Sequence, residues 1–396
     1  MIEIDRLHLR AILNSAGLFS VEAEVGLKSG EIGVAAAASA IRCGHREKMV
    51  TANIRKQIEA YNEQIQVLKG PVQGQDSWDE MLRQHIDRWG ADITLSLSLA
   101  FARAAANHTH MSLVEYIRMQ IGIEQINWKK AYLVPVFSGG IHDRGIPQSM
   151  QQIMFAIESD DFNTAIDEIL QLYENIEEHL LMKGVMAGYS ASSGFMVTDM
   201  ALEQQLSLLT EEIQKMPFVD RVSIALDVAA EHLKAGDAYR FYGRNLDAGQ
   251  LENYLAELAE KYPIRYIEDP FEYGHRENWI SLKKRLDGKC RIFADDATAT
   301  QTQYIDTEIA GGTIIKMKQV GSLSDTLSMI HTIRELGMMQ CVSHRSCETE
   351  DCFMCDLGIA ANAEYMKIGG PRRGDRVGKY NQLLRLFERH NTGRTL

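Results

Sequence analysis

The sequence lacks the features that mark membrane-spanning, repetitive or disordered chains. No segment approaches the ~18 uninterrupted apolar residues that indicate a transmembrane helix, so no membrane partner is expected. There is no repeat of fixed period, no low-complexity tract and no block of like charges. The N-terminal segment has early acidic residues and no apolar core of signal-peptide length, and we therefore expect a cytoplasmic protein.

Basic residues are outnumbered by acidic ones. The chain has 42 Lys and Arg against 54 Asp and Glu, which gives a formal net charge of −12. Non-specific nucleic-acid binding depends on many Lys and Arg contacts to phosphate, so nucleic acid is not an expected partner. An anionic small molecule is still possible, because a metal ion or a local basic cluster can reverse the field inside a pocket.

Cysteines are few, but four of the six fall close together near the C-terminus. Cys352 and Cys355 form a CxxC with His344 nearby, which raises the alternative of a zinc site. No second CxxC is present, and apolar residues recur around this one at helical spacing. The pattern therefore favours buried thiols within a helix.

A chain of 396 residues is too long for one ordinary core and predicts two domains. In residues 1–126, strand-like segments such as Phe19 to Leu27 precede helical stretches, which predicts a small α+β domain. In residues 127–396, short apolar runs alternate with amphipathic helices. One of these helices, 324–337, would be capped by Ser322 or Ser324. Repeated strand–helix units predict a parallel, closed barrel.

Nearly every apolar run of the second domain ends in an ionisable residue. A single charge at a strand end is more often a solvated loop residue, but six in succession are poorly explained in that way. The carboxyl ends of barrel strands meet at one mouth, where catalysis takes place in this fold. The six residues, three acidic followed by three basic or imidazole, are Asp227, Glu268, Asp295, Lys316, His344 and Lys367.

These residue types fit one kind of chemistry. Three carboxylates form an all-oxygen site, which suits Mg²⁺. Two lysines can act as a base or hold an anion. A metal that holds a substrate carboxylate stabilises the enolate formed when the neighbouring proton leaves. The sequence therefore predicts Mg²⁺-dependent proton abstraction next to a carboxylate.

Several motifs resemble those of the enolase family. The C-terminal matches are IEDPF (267–271), ADD with T-x-T (294–300), IIKMKQVGSLS (314–324), VSHRSCETED (342–351) and KYNQLLR (379–385). The N-terminal match, NSAGLFSVEAEV (14–25), is looser. The resemblance covers nearly the whole chain and implies an α/β, enolase-like fold: an N-terminal α+β domain followed by a modified TIM-type (β/α)8 barrel. A Lys or His base working with Mg²⁺ is the established scheme of that superfamily.

The resemblance also implies roles for individual residues. Asp227, Glu268 and Asp295 would bind one Mg²⁺, and Ser39 would bind a second. Lys316 would take the C2 proton. Lys367 would hold the carboxylate of a small anionic substrate together with the metal, and His344, Arg345 and Ser346 would bind its phosphoryl group. His142 and Glu268 would also contact the substrate, and His344 and Lys367 would take part in catalysis. A homodimer is the family expectation.

The chain departs from the family pattern where the leaving hydroxyl is protonated. Ser192 stands in place of a glutamate that helps to expel the hydroxyl, and Gln152 stands in place of a second glutamate. The Ser39-Ala-Ile-Arg-Cys segment replaces the family lid, and Ala16 replaces an arginine. A hydroxyl or an amide is a poor proton donor to departing hydroxide, and general acid catalysis contributes ~10²–10⁴-fold.

Three functions fit these observations. The first is ordinary enolase activity on 2-phosphoglycerate. The second is a specialised paralogue acting on a related phospho- or phosphono-carboxylate, for example in phosphonate natural-product biosynthesis. Arg42 and Arg144 would then contact a different anionic tail, although solvent exposure is the commoner fate of either arginine alone. The third is a non-catalytic structural role.

Overall fold

The computed structural model describes residues 1–38, 46–47, 53–140 and 149–393. Its N-terminal part is an antiparallel sheet followed by helices. The strands are β1 (Ile2–Leu13), β2 (Phe19–Leu27), β3 (Ile32–Ala36) and β4 (Gly70–Val72), in the spatial order β3-β2-β1-β4. The helices are α1 (Ile54–Ile65), α2 (Gln75–Arg83), α3 (Ile86–Trp89), α4 (Ala91–His108) and α5 (Leu113–Ile121).

Strand β1 was not anticipated from the sequence, and its register shows why. The pairing of β1 with β2 shifts between Ile4 and Arg6. This bulge changes which residues face the core: the buried positions are Ile4, then Leu7 three residues later, and then Leu9. A bulge inserts one residue and breaks the strict alternation by which a half-buried strand is recognised.

The C-terminal part is a closed barrel. Its strands and attached hairpins are β5 (Lys130–Ser138), β6 (Gln152–Ser159), β7 (Met186–Tyr189), β8 (Phe195–Val197), β9 (Val222–Asp227), β10 (Lys234–Ala235), β11 (Ala238–Phe241), β12 (Arg244–Leu246), β13 (Ile264–Glu268), β14 (Arg291–Ala294), β15 (Gly312–Ile315), β16 (Met339–Ser343) and β17 (Tyr365–Lys367). Eight of them close in the order β5-β6-β9-β13-β14-β15-β16-β17, with β17 paired to β5. The predicted fold class, a small α+β domain followed by a modified barrel, is confirmed. Residue 126, the predicted domain boundary, lies between α5 and β5.

One barrel strand contradicts the expectation of a parallel sheet throughout. Strand β6 is antiparallel to both of its neighbours, β5 and β9. Almost every residue of β6 is buried, so its sequence shows no alternation of apolar and polar positions. Periodicity alone cannot distinguish such a run from a buried helix, and it carries no information on direction. The reversal places Gln152, the first residue of β6, at the mouth of the barrel.

The barrel helices are α6 (Phe162–Met182), α7 (Leu202–Gln214), α8 (Ala248–Lys261), α9 (Arg276–Arg285), α10 (Leu323–Glu335), α11 (Phe353–Ala360) and α12 (Gly374–Asn391). Ser322 caps α10 by accepting a hydrogen bond from the Asp325 amide at 3.1 Å. Ser324 instead donates to Asp79 of the N-terminal part. Within the described residues, no helix is both long and apolar enough to cross a bilayer.

The CxxC segment begins α11. Cys355 is buried and its thiol donates to the Lys379 carbonyl, while the half-buried Cys352 donates to the Glu350 carbonyl. Each thiol therefore forms a hydrogen bond with a backbone carbonyl of a neighbouring residue or segment.

Polar contacts hold the N-terminal helices against the mouth of the barrel. Arg103 donates to both carboxylate oxygens of Asp351, at 2.7 and 2.8 Å. Asp92 lies 3.1 Å from the Lys318 ammonium, and both side chains are buried. Because Lys318 follows Lys316 by two residues, this ion pair fixes the segment that carries a predicted site residue.

Candidate active site

Six ionisable side chains start from one end of the barrel. Asp227, Glu268 and Lys367 are the last residues of β9, β13 and β17. The residues that directly follow β14, β15 and β16 are Asp295, Lys316 and His344. These strands are mutually parallel, so their carboxyl ends open onto the same mouth.

Lys367 joins two of the predicted metal ligands. Its Nζ lies 2.7 Å from Asp227 Oδ2 and 2.9 Å from Glu268 Oε2, and all three side chains are buried. Burial and the nearby Asp227 raise the pKa of Glu268 to about 8. Burial disfavours the charged form of Lys367, but Asp227 and Glu268 outweigh it and raise the pKa of the ammonium. Glu268 therefore depends on a nearby cation to stay ionised.

Lys316 makes the corresponding pair with the third predicted ligand. Its Nζ donates to Asp295 Oδ2. Burial opposes ionisation of Asp295, but the Lys316 ammonium reverses the effect and holds the pKa of the carboxyl below its usual value. Burial opposes the charged form of Lys316, but the pKa of its ammonium is raised. Asp295 and Glu268 raise this pKa, while Arg345 lowers it. The two lysine–carboxylate pairs therefore belong to one electrostatic cluster.

The mouth holds more carboxylates than ammonium groups. Asp269 and Asp296 join Asp295 in a group whose ligand oxygens all lie within 4.8 Å of one another. Burial, followed by the negative charge of Asp295, raises the pKa of Asp296 to about 7. This all-oxygen donor set, in which Asp269 and Asp295 are buried and Asp296 is half-buried, carries surplus negative charge and fits a hard divalent cation such as Mg²⁺. Asp295 belongs both to this group and to the set predicted from the sequence.

A second group of possible metal ligands within the described residues lies elsewhere. It consists of His179, Glu211 and Glu212. The Lys215 ammonium already contacts both glutamates, at 2.9 and 2.8 Å. This group therefore has a cation of its own.

The segment after β16 carries the three residues predicted to bind a phosphoryl group. His344 is buried, and burial together with Arg376 holds the pKa of its imidazole well below the usual value. The imidazole is therefore neutral, and its Nδ1 has no hydrogen-bond partner among the described residues. Arg345 donates to Glu47 at 2.7 and 2.8 Å. Arg376 donates to the carbonyls of Arg345 and Ser346 and fixes the backbone there.

Uncharged side chains occupy the positions where the family pattern has glutamates. Gln152 Nε2 donates to Ser192 Oγ at 2.7 Å. Ser190 Oγ lies 3.1 Å from Ser192 Oγ and 2.8 Å from Ser138 Oγ. All four side chains are buried, so they form a continuous neutral network beside the carboxylates.

Several contacts of the site were not predicted. Gln151 donates a hydrogen bond to Asp227, and Tyr266 donates one to Glu268. Glu47 accepts hydrogen bonds from Arg345. No local sequence signal identifies these partners. Asp269 and Asp296 directly follow predicted ligands in the strings IEDP and ADD, and these doubled acids were a readable signal. Two predicted site residues, Ser39 and His142, lie outside the described residues, as do Arg42 and Arg144.

Carboxylates and lysines at the carboxyl ends of barrel strands define the class of the protein: an α/β-barrel enzyme with a mouth suited to a metal ion. Two family models match the chain. Residues 4–117 match the N-terminal domain of enolase, and residues 131–394 match its C-terminal TIM barrel domain. The chain belongs to the enolase family, whose members are in general magnesium-dependent lyases.

Proposed function

We propose that this protein is a Mg²⁺-dependent enzyme that removes the proton next to the carboxylate of a phospho- or phosphono-carboxylate related to 2-phosphoglycerate. One observation carries the proposal: the largely buried side chain of Lys316, the assigned base, directly contacts Asp295, which belongs to the carboxylate cluster. An amine at the edge of a cation site can receive a proton from a substrate held there.

The chain's own residues divide the work as follows. Asp227, Glu268 and Asp295 would hold the metal, with Asp269 and Asp296 adjoining them. Bound Mg²⁺ would supply positive charge that stabilises the developing enolate. Lys316 is paired with Asp295 as an ammonium, and the positive charge of a bound metal would favour its neutral amine, which would then take the C2 proton. Lys367, displaced from Asp227 and Glu268 by the metal, would bind the substrate carboxylate.

The phosphoryl or phosphonyl group would be held by the segment after β16. Arg345 provides a charged fork beside the site, and a guanidinium suits phosphate oxygens. The neutral imidazole of His344 can donate a hydrogen bond without adding charge. Ordinary enolase activity is the second candidate, favoured by the family match, and the neutral Gln152–Ser192 contact counts against it.

The test is incubation with 2-phosphoglycerate and Mg²⁺ in deuterated water. We expect Mg²⁺-dependent loss of the C2 proton signal in proton NMR, with formation of phosphoenolpyruvate at least about 10²-fold slower, because general acid catalysis contributes that much. Equal rates of exchange and dehydration would favour ordinary enolase. Failure to bind Mg²⁺ in calorimetry, with no exchange, would refute both catalytic functions.

A further inference from the structure

Four side chains form a row across adjacent barrel strands. The backbone register pairs Ser138 with Gln152, Gln152 with Asp227, and Asp227 with Glu268. Paired residues on neighbouring strands direct their side chains to the same face of a sheet. Two neutral side chains therefore lie directly beside two of the proposed metal ligands.

Ser192 is held over this row from two sides. Its hydroxyl accepts from Gln152 Nε2 at 2.7 Å, and its carbonyl accepts from the Gly370 amide at 2.8 Å. Gly370 follows Lys367 by three residues. Ser192 is thus fixed between β6 and the segment after β17, close to the residue proposed to bind the substrate carboxylate.

The network has a hydrogen-bond donor to spare. Ser190 Oγ accepts from the Gly194 amide, so Ser138 can donate to Ser190 and Ser190 to Ser192. Within the described part of the chain, no further acceptor then contacts the Ser192 hydroxyl. Gln152 Oε1 is buried and has no hydrogen-bond partner among the described residues. If the amide turns over, Oε1 accepts the Ser192 proton and the amide N–H groups become free instead.

Either arrangement can stabilise an anion, and neither can protonate departing hydroxide. We propose, as an extension of the proposed function on which this inference rests, that Gln152 and Ser192 select a substrate whose C3 substituent leaves as a stable oxyanion. That substituent is a phosphoryloxy or acyloxy group. Gln152 and Ser192 are specificity-determining residues, because the donor that they leave free would stabilise the charge that develops on the leaving oxygen.

The step balances without a further reactant. The Lys316 amine takes the C2 proton, and the electron pair of the C2–H bond forms the C2–C3 double bond. The bond between C3 and the ester oxygen breaks, and its electron pair leaves with that oxygen. The leaving group is released as phosphate or carboxylate and needs no proton from the protein.

The experiment compares three compounds that differ only at C3: 2-phosphoglycerate, its 3-O-acetyl ester and 2,3-bisphosphoglycerate. Release of acetate or phosphate, formation of phosphoenolpyruvate and C2 exchange into deuterated water are measured with Mg²⁺. We expect at least one ester to be eliminated at least about 10²-fold faster than the hydroxyl compound is dehydrated, and the faster ester identifies the leaving group.

Two variants test the residues themselves. Gln152→Glu is close in shape to the native side chain, and Ser192→Glu supplies a second route should the first variant fold poorly. We expect either variant to raise the dehydration of 2-phosphoglycerate about 10-fold or more, because each introduces a general acid. Ser328→Glu, the same change on the exposed face of α10, is the matched control and should leave all rates unchanged.

The outcomes distinguish a failure of this inference from a failure of the proposed function, which is removal of the C2 proton. Dehydration by the wild-type protein as fast as elimination of either ester would overturn the inference. C2 exchange without loss of either ester group would also overturn it while leaving the proposed function intact. Absence of C2 exchange with all three compounds would overturn both.

Discussion

Replacing Lys316 with alanine is expected to lower the rate of C2 proton exchange about 10²–10⁴-fold, the usual contribution of a positioned acid or base. Lys316 contacts Asp295 and is the amine that we assign as the base. The substitution removes the ammonium partner of Asp295 but keeps the carboxylate itself. Asp295 therefore stays available to the metal, and the binding of Mg²⁺ should persist. Exchange is followed by proton NMR with 2-phosphoglycerate, and Mg²⁺ binding by calorimetry.

Lys316→Arg separates the charge of this residue from its basicity. Arginine keeps the positive charge beside Asp295 but cannot give up its proton in a protein. If Lys316 is the base, the arginine variant loses exchange as fully as the alanine variant. Near-normal exchange in Lys316→Arg would show that the residue acts through its charge, and near-normal exchange in Lys316→Ala would refute its role altogether.

The second large effect concerns folding stability. Lys367→Met removes the ammonium that lies between Asp227 and Glu268, which are both buried. Removing one partner from a buried ion pair leaves uncompensated charge and costs about 3–5 kcal/mol. We expect the free energy of unfolding to fall by about that amount without metal, as measured by denaturant titration.

Magnesium should restore much of the lost stability. An ion that binds only the folded state stabilises it, and the variant has a greater need for positive charge at this position. The variant should therefore respond more strongly to Mg²⁺ than the wild-type protein does. Lys28→Met, which removes an exposed ion pair with Glu3, is the matched control and should show no added response to Mg²⁺. Equal Mg²⁺ responses in Lys367→Met and wild type would argue against Asp227 and Glu268 as ligands.

The barrel and the six ionisable residues at its mouth could be predicted because the end of a strand is a local feature of the sequence. Apolar runs ending in Asp227 or Lys367 can be recognised without knowing how strands pair. The direction of β6 could not be predicted, since an almost fully buried run looks the same in either direction. The position of Gln152 beside Asp227 therefore emerged only from the register of the folded sheet.

Contacts between distant segments set a second limit. The pairing of Arg345 with Glu47 joins residues almost 300 positions apart, and neither local sequence suggests the other. The resemblance assigns Lys367 to the substrate carboxylate, and its sequence position gave no sign that its ammonium also contacts Asp227 and Glu268. The reason is electrostatic: buried acids attract whichever cation is nearest, and a residue's type does not specify its partner.

The position of the metal tests the central claim most directly. Crystals grown with Mn²⁺, which prefers the same oxygen ligands, would locate the ion by anomalous diffraction. We predict one strong peak within coordination distance of Asp227, Glu268 and Asp295, with the Lys367 ammonium moved off the two carboxylates and Lys316 Nζ facing the site. A peak held only by Asp269, Asp295 and Asp296, or no peak at the barrel mouth, would contradict this account.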